Sequence, residues 1–119
     1  MAIHTKLPIY KRGCELLDLA YEVQQHMPRE HKRFLGEKIT MHCTEMLDLM
    51  ALANASQGVE RAGYIRTLLV RVSAVQALLR VCFERKYLGH RLWARSIETL
   101  ESIGRQGGGW LKSAKAPAA

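Results

Sequence analysis

The stretch LGEKITMHCTEMLDLMALA, residues 35–53, decides the fold. Within it Leu35, Ile39, Cys43, Met46, Met50 and Ala53 follow one another at steps of four, four, three, four and three. A helix turns once in about 3.6 residues, so this spacing draws one apolar stripe along a single rod. The pattern is close to a coiled-coil seam and belongs to a segment of roughly 25 residues, or about 40 Å of helix. Strict apolar/polar alternation, the mark of a half-buried strand, occurs nowhere in the chain.

Working outward, Pro28 and Glu30 mark the start of that helix, which is expected over residues 29–55. An acid in the first turn favours the helix dipole. Upstream, a helix is expected over residues 8–26. Pro8 sits in its first turn, where a missing N–H costs nothing, and Tyr10, Cys14, Leu17 and Tyr21 recur at helical spacing. Leu16, Ala20 and Val23 widen that stripe. Downstream, Ser56, Gln57 and Gly58 form a break, with Ser56 placed to cap a third helix over residues 59–86. Ala62, Ile65, Leu69, Val72, Gln76, Leu79 and Phe83 share one face of it, and Leu68, Val75 and Cys82 broaden the face. So broad a stripe implies burial on two sides, by the chain's own bundle and by a neighbouring subunit. After a turn containing Gly89, a fourth helix over residues 90–112 carries Trp93, Ile97, Leu100, Gly104 and Leu111, flanked by Ile103 and Trp110.

Connections this short force consecutive helices to run antiparallel. The expected fold is all-α: an up-down-up-down antiparallel four-helix bundle, one domain over residues 1–119. Residues 113–119, small and containing Pro117, read as a disordered tail. One feature strains this reading. Gly104 and the run Gly107, Gly108 and Gly109 cost roughly 1 kcal/mol each in a helix interior, yet Trp110 and Leu111 follow at once and need burial. Either the helix ends and Trp110 folds back, or the glycines let another backbone approach; the second fits a subunit interface and is preferred.

Charge narrows the partners. The formal net charge is +7. Residues 1–57 balance seven Lys/Arg against seven acids, whereas residues 58–119 hold eleven Lys/Arg against Glu60, Glu84, Glu98 and Glu101. The whole excess therefore lies in the second half, which points to a polyanion such as RNA or DNA. Arginine outnumbers lysine there eight to three, and its planar fork suits phosphate. Candidate nucleic-acid-binding residues are Arg61, Arg66, Arg80, Arg85, Lys86, Arg91, Arg95 and Arg105. Arg91 and Arg95 lie four apart, with Ser102 and Arg105 further along roughly the same face. An Arg80–Glu84 ion pair is the bland alternative use of such charges.

Other chemistry finds no foothold. His4, His26, His31 and His90 lie at segment ends, and His42 is expected at the surface or an interface. Its neighbour Cys43 points about 100° away, so the two do not form a nucleophile–base pair. No ExxH, HExxH or GxxxxGK[ST] spacing occurs, and Cys14, Cys43 and Cys82 form no CxxC pair. Those thiols are expected to act as small hydrophobes. No catalytic residue, metal site or cofactor is expected, so the protein is read as a non-enzyme. With no apolar run of about 20 residues and no leader-like N-terminus, the expected location is the cytoplasm.

Several strings carry a family resemblance: LLDLAY at residues 16–21, MPRE at 27–30, RFLGE at 33–37, LAN at 52–54, LLR at 78–80 and IGRQGGGWLK at 103–112. Over residues 7–113 the chain resembles the bacterial four-helix-bundle family that includes the accessory variability determinant of diversity-generating retroelements, related to proteins encoded in ribosomal RNA intervening sequences. The resemblance implies a homopentameric ring without enzymatic activity. It also implies nucleic-acid binding through a basic surface and association with the element's reverse transcriptase. It transfers no single catalytic or base-reading residue. The expected function is thus an oligomeric nucleic-acid-binding accessory protein. The rival is a structural, protein-interaction oligomer that binds no nucleic acid.

Overall fold

A computed structural model describes residues 3–115. Its helices are α1 (Pro8–His26), α2 (Arg29–His31), α3 (Glu37–Ala55), α4 (Gly58–Glu84) and α5 (His90–Lys115). A 3₁₀ turn, His4–Lys6, precedes α1, and a π-helical turn, Lys32–Gly36, welds α2 to α3. No strand occurs among the described residues. The result is four rods in a body of 52 × 22 × 21 Å. Around the square the order is α1, α3, α4, α5, each packing on the next and α5 closing on α1. Sequential neighbours lie antiparallel.

The seam that opened the sequence is the centre of the core. Met46, Met50 and Ala53 are wholly buried, as are Ile39 and Cys43 to within a hundredth of their surface, and Leu35 packs on them from the edge. Opposite stand Ile65, Leu68, Val75, Leu79 and Cys82 of α4, with Leu100 and Ile103 of α5. Leu69 and Phe83 are only partly buried and Gln76 is exposed, so the α4 core face is turned toward Leu68, Val75 and Cys82. On α1 the phase differs from expectation more clearly. Ile9, Gly13, Leu16, Ala20 and Val23 face inward, while Tyr21 and Cys14 are exposed. Cys14 is therefore no core hydrophobe. The small residues Gly13 and Ala20 sit where α1 meets its neighbours, and the bulky aromatics take the rim.

Two helix boundaries differ from those expected. Ser56 caps nothing: its hydroxyl donates back to the Leu52 carbonyl at 2.7 Å, and Gln57 precedes α4 without a side-chain cap. Gly58 starts α4 at φ 60°, a conformation open to glycine. At the other end, α5 neither stops at the glycine run nor frays at Ser113 but continues to Lys115; residues 116–119 of the expected tail lie outside the described residues. Of the four glycines only Gly107 is closely approached, and by side chains and not by the other backbone expected: a Cβ there would come within 2.9 Å of Leu69 Cδ2. There a side chain on α5 would require the Leu69 methyl of α4 to shift. Gly104, Gly108 and Gly109 meet nothing within 4 Å.

The expected helix over residues 29–55 is one rod with a defect. In the π turn, Gln24 of α1 donates to the Lys32 carbonyl at 3.4 Å, and a Cβ on Gly36 would lie 2.7 Å from Gln24 Cγ. The widened turn thus lets the rod pass close to α1. π turns of this kind recur at functional sites.

Candidate nucleic-acid interface

The eight basic residues named from sequence separate into groups with different work. Arg61 is committed to the fold. Its Nε donates to the Ala53 carbonyl at 2.8 Å and its Nη2 to the Asn54 carbonyl at 3.2 Å, while the guanidinium lies over Trp110, 5.9 Å from the ring centroid. It adds side-chain donors to carbonyls in the last turn of α3, where the Ala53 carbonyl also accepts from the Ser56 N–H at 3.2 Å. It also holds Trp110 in place. Arg80 is exposed and paired with Glu84 at 3.1 Å, so that ion pair forms as anticipated. Such exposed pairs exchange partners at little cost.

Arg66, Arg85, Lys86, Arg91, Arg95 and Arg105 are all exposed, and among the described residues none of them has an acidic partner within 4.0 Å. Four of these, Arg85, Lys86, Arg91 and Arg95, gather about the turn between α4 and α5. Lys86 adopts φ 64°, and its N–H donates to the Phe83 carbonyl at 2.9 Å, which closes α4 and turns the chain. Arg91 and Arg95 then stand one helical turn apart on α5, on the side facing α1. Ser102, grouped with them from sequence, is buried and accepts a hydrogen bond from Gln106 Nε2 at 3.1 Å. Arg105 is exposed beyond this break, and Arg66 lies near the other end of the bundle.

Sequence reasoning missed a contribution from the first half. The up-down topology puts the α1–α2 connection at the same end as the α4–α5 turn. His31 stacks on Tyr87 there, with ring centroids 5.6 Å apart. The exposed Arg29 and Arg33, with the half-buried Lys32, therefore lie at the same end of the bundle as the arginines of the turn. Arg29, Lys32 and Arg33 also line a shallow cleft of about 580 Å³ with Glu30 and Glu37. Phe34, 75% exposed, projects from the π turn with Lys38 Nζ 5.7 Å from its ring centroid. The signal was present: a basic run directly after Pro28, at a helix end the topology locates.

A larger cleft of about 990 Å³ opens between the α4–α5 turn and the end of α1. Lys86, Arg91, Arg95, His26 and His90 line it together with Phe83, Tyr87 and Leu88, and Glu22 and Glu84 are its acids. The bundle end therefore joins cationic groups, imidazoles and aromatic rings. Such a mixture suits phosphates and bases better than it suits an apolar ligand.

No group of three His, Cys, Asp or Glu among the described residues is arranged to hold a metal ion. Burial pushes the thiols of Cys43 and Cys82 up to about 12 and about 11, which keeps them protonated and poorly nucleophilic near neutrality. His42 is buried within the subunit, where a surface or interface position was expected. Its Nδ1 lies 3.9 Å from Glu45 Oε2, which also pairs with Arg71 Nε at 3.0 Å across the α3–α4 contact. Burial above all, then the positive charge of Arg71, lowers its pKa below 6.5, against the opposing pull of Glu45.

One further surface stands out. On the outward face of α4, Gly63, Thr67, Val70, Ala74, Ala77 and Val81 repeat at steps of four, three, four, three and four. Val70 is 64% exposed and Val81 44%. This is a second seam with the coiled-coil period, made of small and β-branched residues and left uncovered. No helix of the described residues is long and apolar enough to cross a membrane.

Fold and surface together define a small helical bundle with a positively charged end. A family model confirms the expected kinship: the chain belongs to the bAvd-like family, that of the accessory variability determinant of diversity-generating retroelements, with residues 7–114 matched. Membership supports an accessory role in such an element. No curated protein and no solved structure matches the chain.

Proposed function

We propose that this protein is a non-enzymatic, oligomeric nucleic-acid-binding accessory factor that assists the reverse transcriptase of a diversity-generating retroelement in the cytoplasm. The observation that carries the reading is the basic end of the bundle, where the exposed Arg85, Lys86, Arg91 and Arg95 have no acidic partner within 4.0 Å among the described residues and Arg29, Lys32 and Arg33 of the other half of the chain lie at the same end. Like charges four apart on one helix, as Arg91 and Arg95 are on α5, destabilise it by a few tenths of a kcal/mol, and a polyanion relieves that repulsion. Their contacts are with phosphates of RNA or DNA, which position a nucleic acid without reading its sequence. Arg66, Arg80 and Arg105 extend the field along the bundle. Arg61 contributes charge while its donors stay on the α3 carbonyls.

The outward α4 seam supports self-association, and we take the assembly to be the homopentamer that the family resemblance implies. Light scattering across concentration is the check; a monomer at micromolar levels defeats this part. The same seam favours the rival, an oligomer that engages only polypeptide. Affinity for RNA separates the two. Phosphate binding releases counterions, so the logarithm of affinity falls by about 0.7 per neutralised phosphate for each tenfold rise in salt. Affinity that is flat between low and physiological salt, or absent altogether, decides for the rival.

A further inference from the structure

The cleft between the α4–α5 turn and the end of α1 holds more than phosphate binding requires. At about 990 Å³ it has the size of a small-ligand site. Its cations, Lys86, Arg91 and Arg95, come from the turn and from α5, while Glu22 stands on the α1 wall. Glu84, the other acid of the lining, is paired with Arg80, so a phosphate is drawn toward Arg91 and Arg95 on α5. Phe83, Tyr87 and Leu88 supply apolar wall beside the cations.

Both rings are held by stacking partners that do not line the cleft, and Phe83 also meets His90 of the cleft edge-on at 5.1 Å. Phe83 stacks on Trp93 with centroids 4.8 Å apart and planes 8° apart, and Tyr87 stacks on His31 at 5.6 Å and 26°. A ring whose plane is already fixed loses little entropy when a base stacks on it. Duplexes keep their bases paired and present phosphates outward, so this wall gains nothing from them. A single strand presents both groups.

We infer that this cleft holds one unpaired nucleotide of a single-stranded nucleic acid, its base against Phe83, Tyr87 and Leu88 and its phosphate on Lys86, Arg91 and Arg95. The inference rests on the nucleic-acid reading above and adds to it a preference for single strands.

The test uses the full chain, a short adenine-only RNA and the blunt duplex of the same RNA, at physiological salt. The single strand is expected to bind about tenfold more tightly than the duplex. Tyr87→Leu keeps the apolar bulk without the ring and loses about that factor for the strand, with duplex affinity unchanged; Tyr87→Phe binds as wild type. Should Tyr87→Leu not fold, Trp93 reports instead. In a Trp110→Phe background, adenosine monophosphate quenches its emission saturably, because the base enters beside its stacking partner. Equal affinity for strand and duplex, full strand affinity in folded Tyr87→Leu, or no quenching at millimolar nucleotide overturns the inference while phosphate binding stands. Failure to bind either RNA overturns both.

Discussion

Tyr87 lies on His31 at 5.6 Å between ring centroids, a contact that marks the end of the bundle where the topology places two basic runs far apart in sequence. One run follows Pro28 and the other spans the α4–α5 turn. The positive end of the bundle is thus a product of both halves of the chain, although only the second half carries net charge.

Reversing the charge of the turn should remove binding without removing the fold. Arg91→Glu with Arg95→Glu is expected to weaken RNA affinity by tenfold or more and to flatten the salt dependence by about two phosphate equivalents. Circular dichroism should stay helical, since both side chains are exposed. Unchanged affinity would clear this face of any role.

Arg61 should behave as a stability residue. Arg61→Ala removes the two hydrogen bonds to the Ala53 and Asn54 carbonyls and the cation over Trp110, so a loss of about 1–2 kcal/mol is expected in urea unfolding. Arg61→Lys should recover only part of it, because one ammonium group does not reproduce the two-point fork. Salt slopes for RNA should move little. A variant as stable as wild type would show that those hydrogen bonds are replaced by water at no cost.

The glycines of α5 divide cleanly. Gly108→Ala and Gly109→Ala meet nothing within 4 Å, and each should stabilise the isolated subunit by up to about 1 kcal/mol through helix propensity. Gly107→Ala, pressed against Leu69, should gain less or lose. Light scattering on the same variants reports on the interface: an assembly that needs these glycines falls apart as its subunits become more stable.

Stability should depend on pH through His42. Its pKa is lowered in the folded state, chiefly by burial, so between that value and 6.5 the unfolded chain binds the extra proton. Folding free energy is therefore lost as pH falls through and below 6.5, and is unaffected above it. Neighbouring Arg71 and Lys38 deepen the effect, and Glu45 softens it. His42→Gln should lose less stability than wild type between neutral and mildly acidic pH. Parallel curves for the two proteins would assign the acid sensitivity elsewhere.

Charge on the outer face of α4 should dissolve the oligomer. Val70→Glu with Ala77→Glu introduces carboxylates into the uncovered seam, where an interface would bury them unpaired. Sedimentation should show monomers that melt as before. An assembly that survives both changes uses another face.

Residue order alone settled the four rods, their antiparallel course and the centre of the core, because helical spacing is local and Leu35 to Ala53 keeps it without interruption. It also settled the family, through strings such as MPRE and GGGW. The phase of α1 escaped it: large aromatics at Tyr10 and Tyr21 outweigh small residues in any reading of periodicity, yet packing places Gly13 and Ala20 inside, where helices come closest. Tertiary structure alone decided which arginines are free. Arg61 and Arg91 are indistinguishable as letters; one donates to carbonyls at the end of α3, and the other meets solvent. The charged end likewise required the fold, since His31 and Tyr87 touch only when the third and first connections arrive at the same end of the bundle.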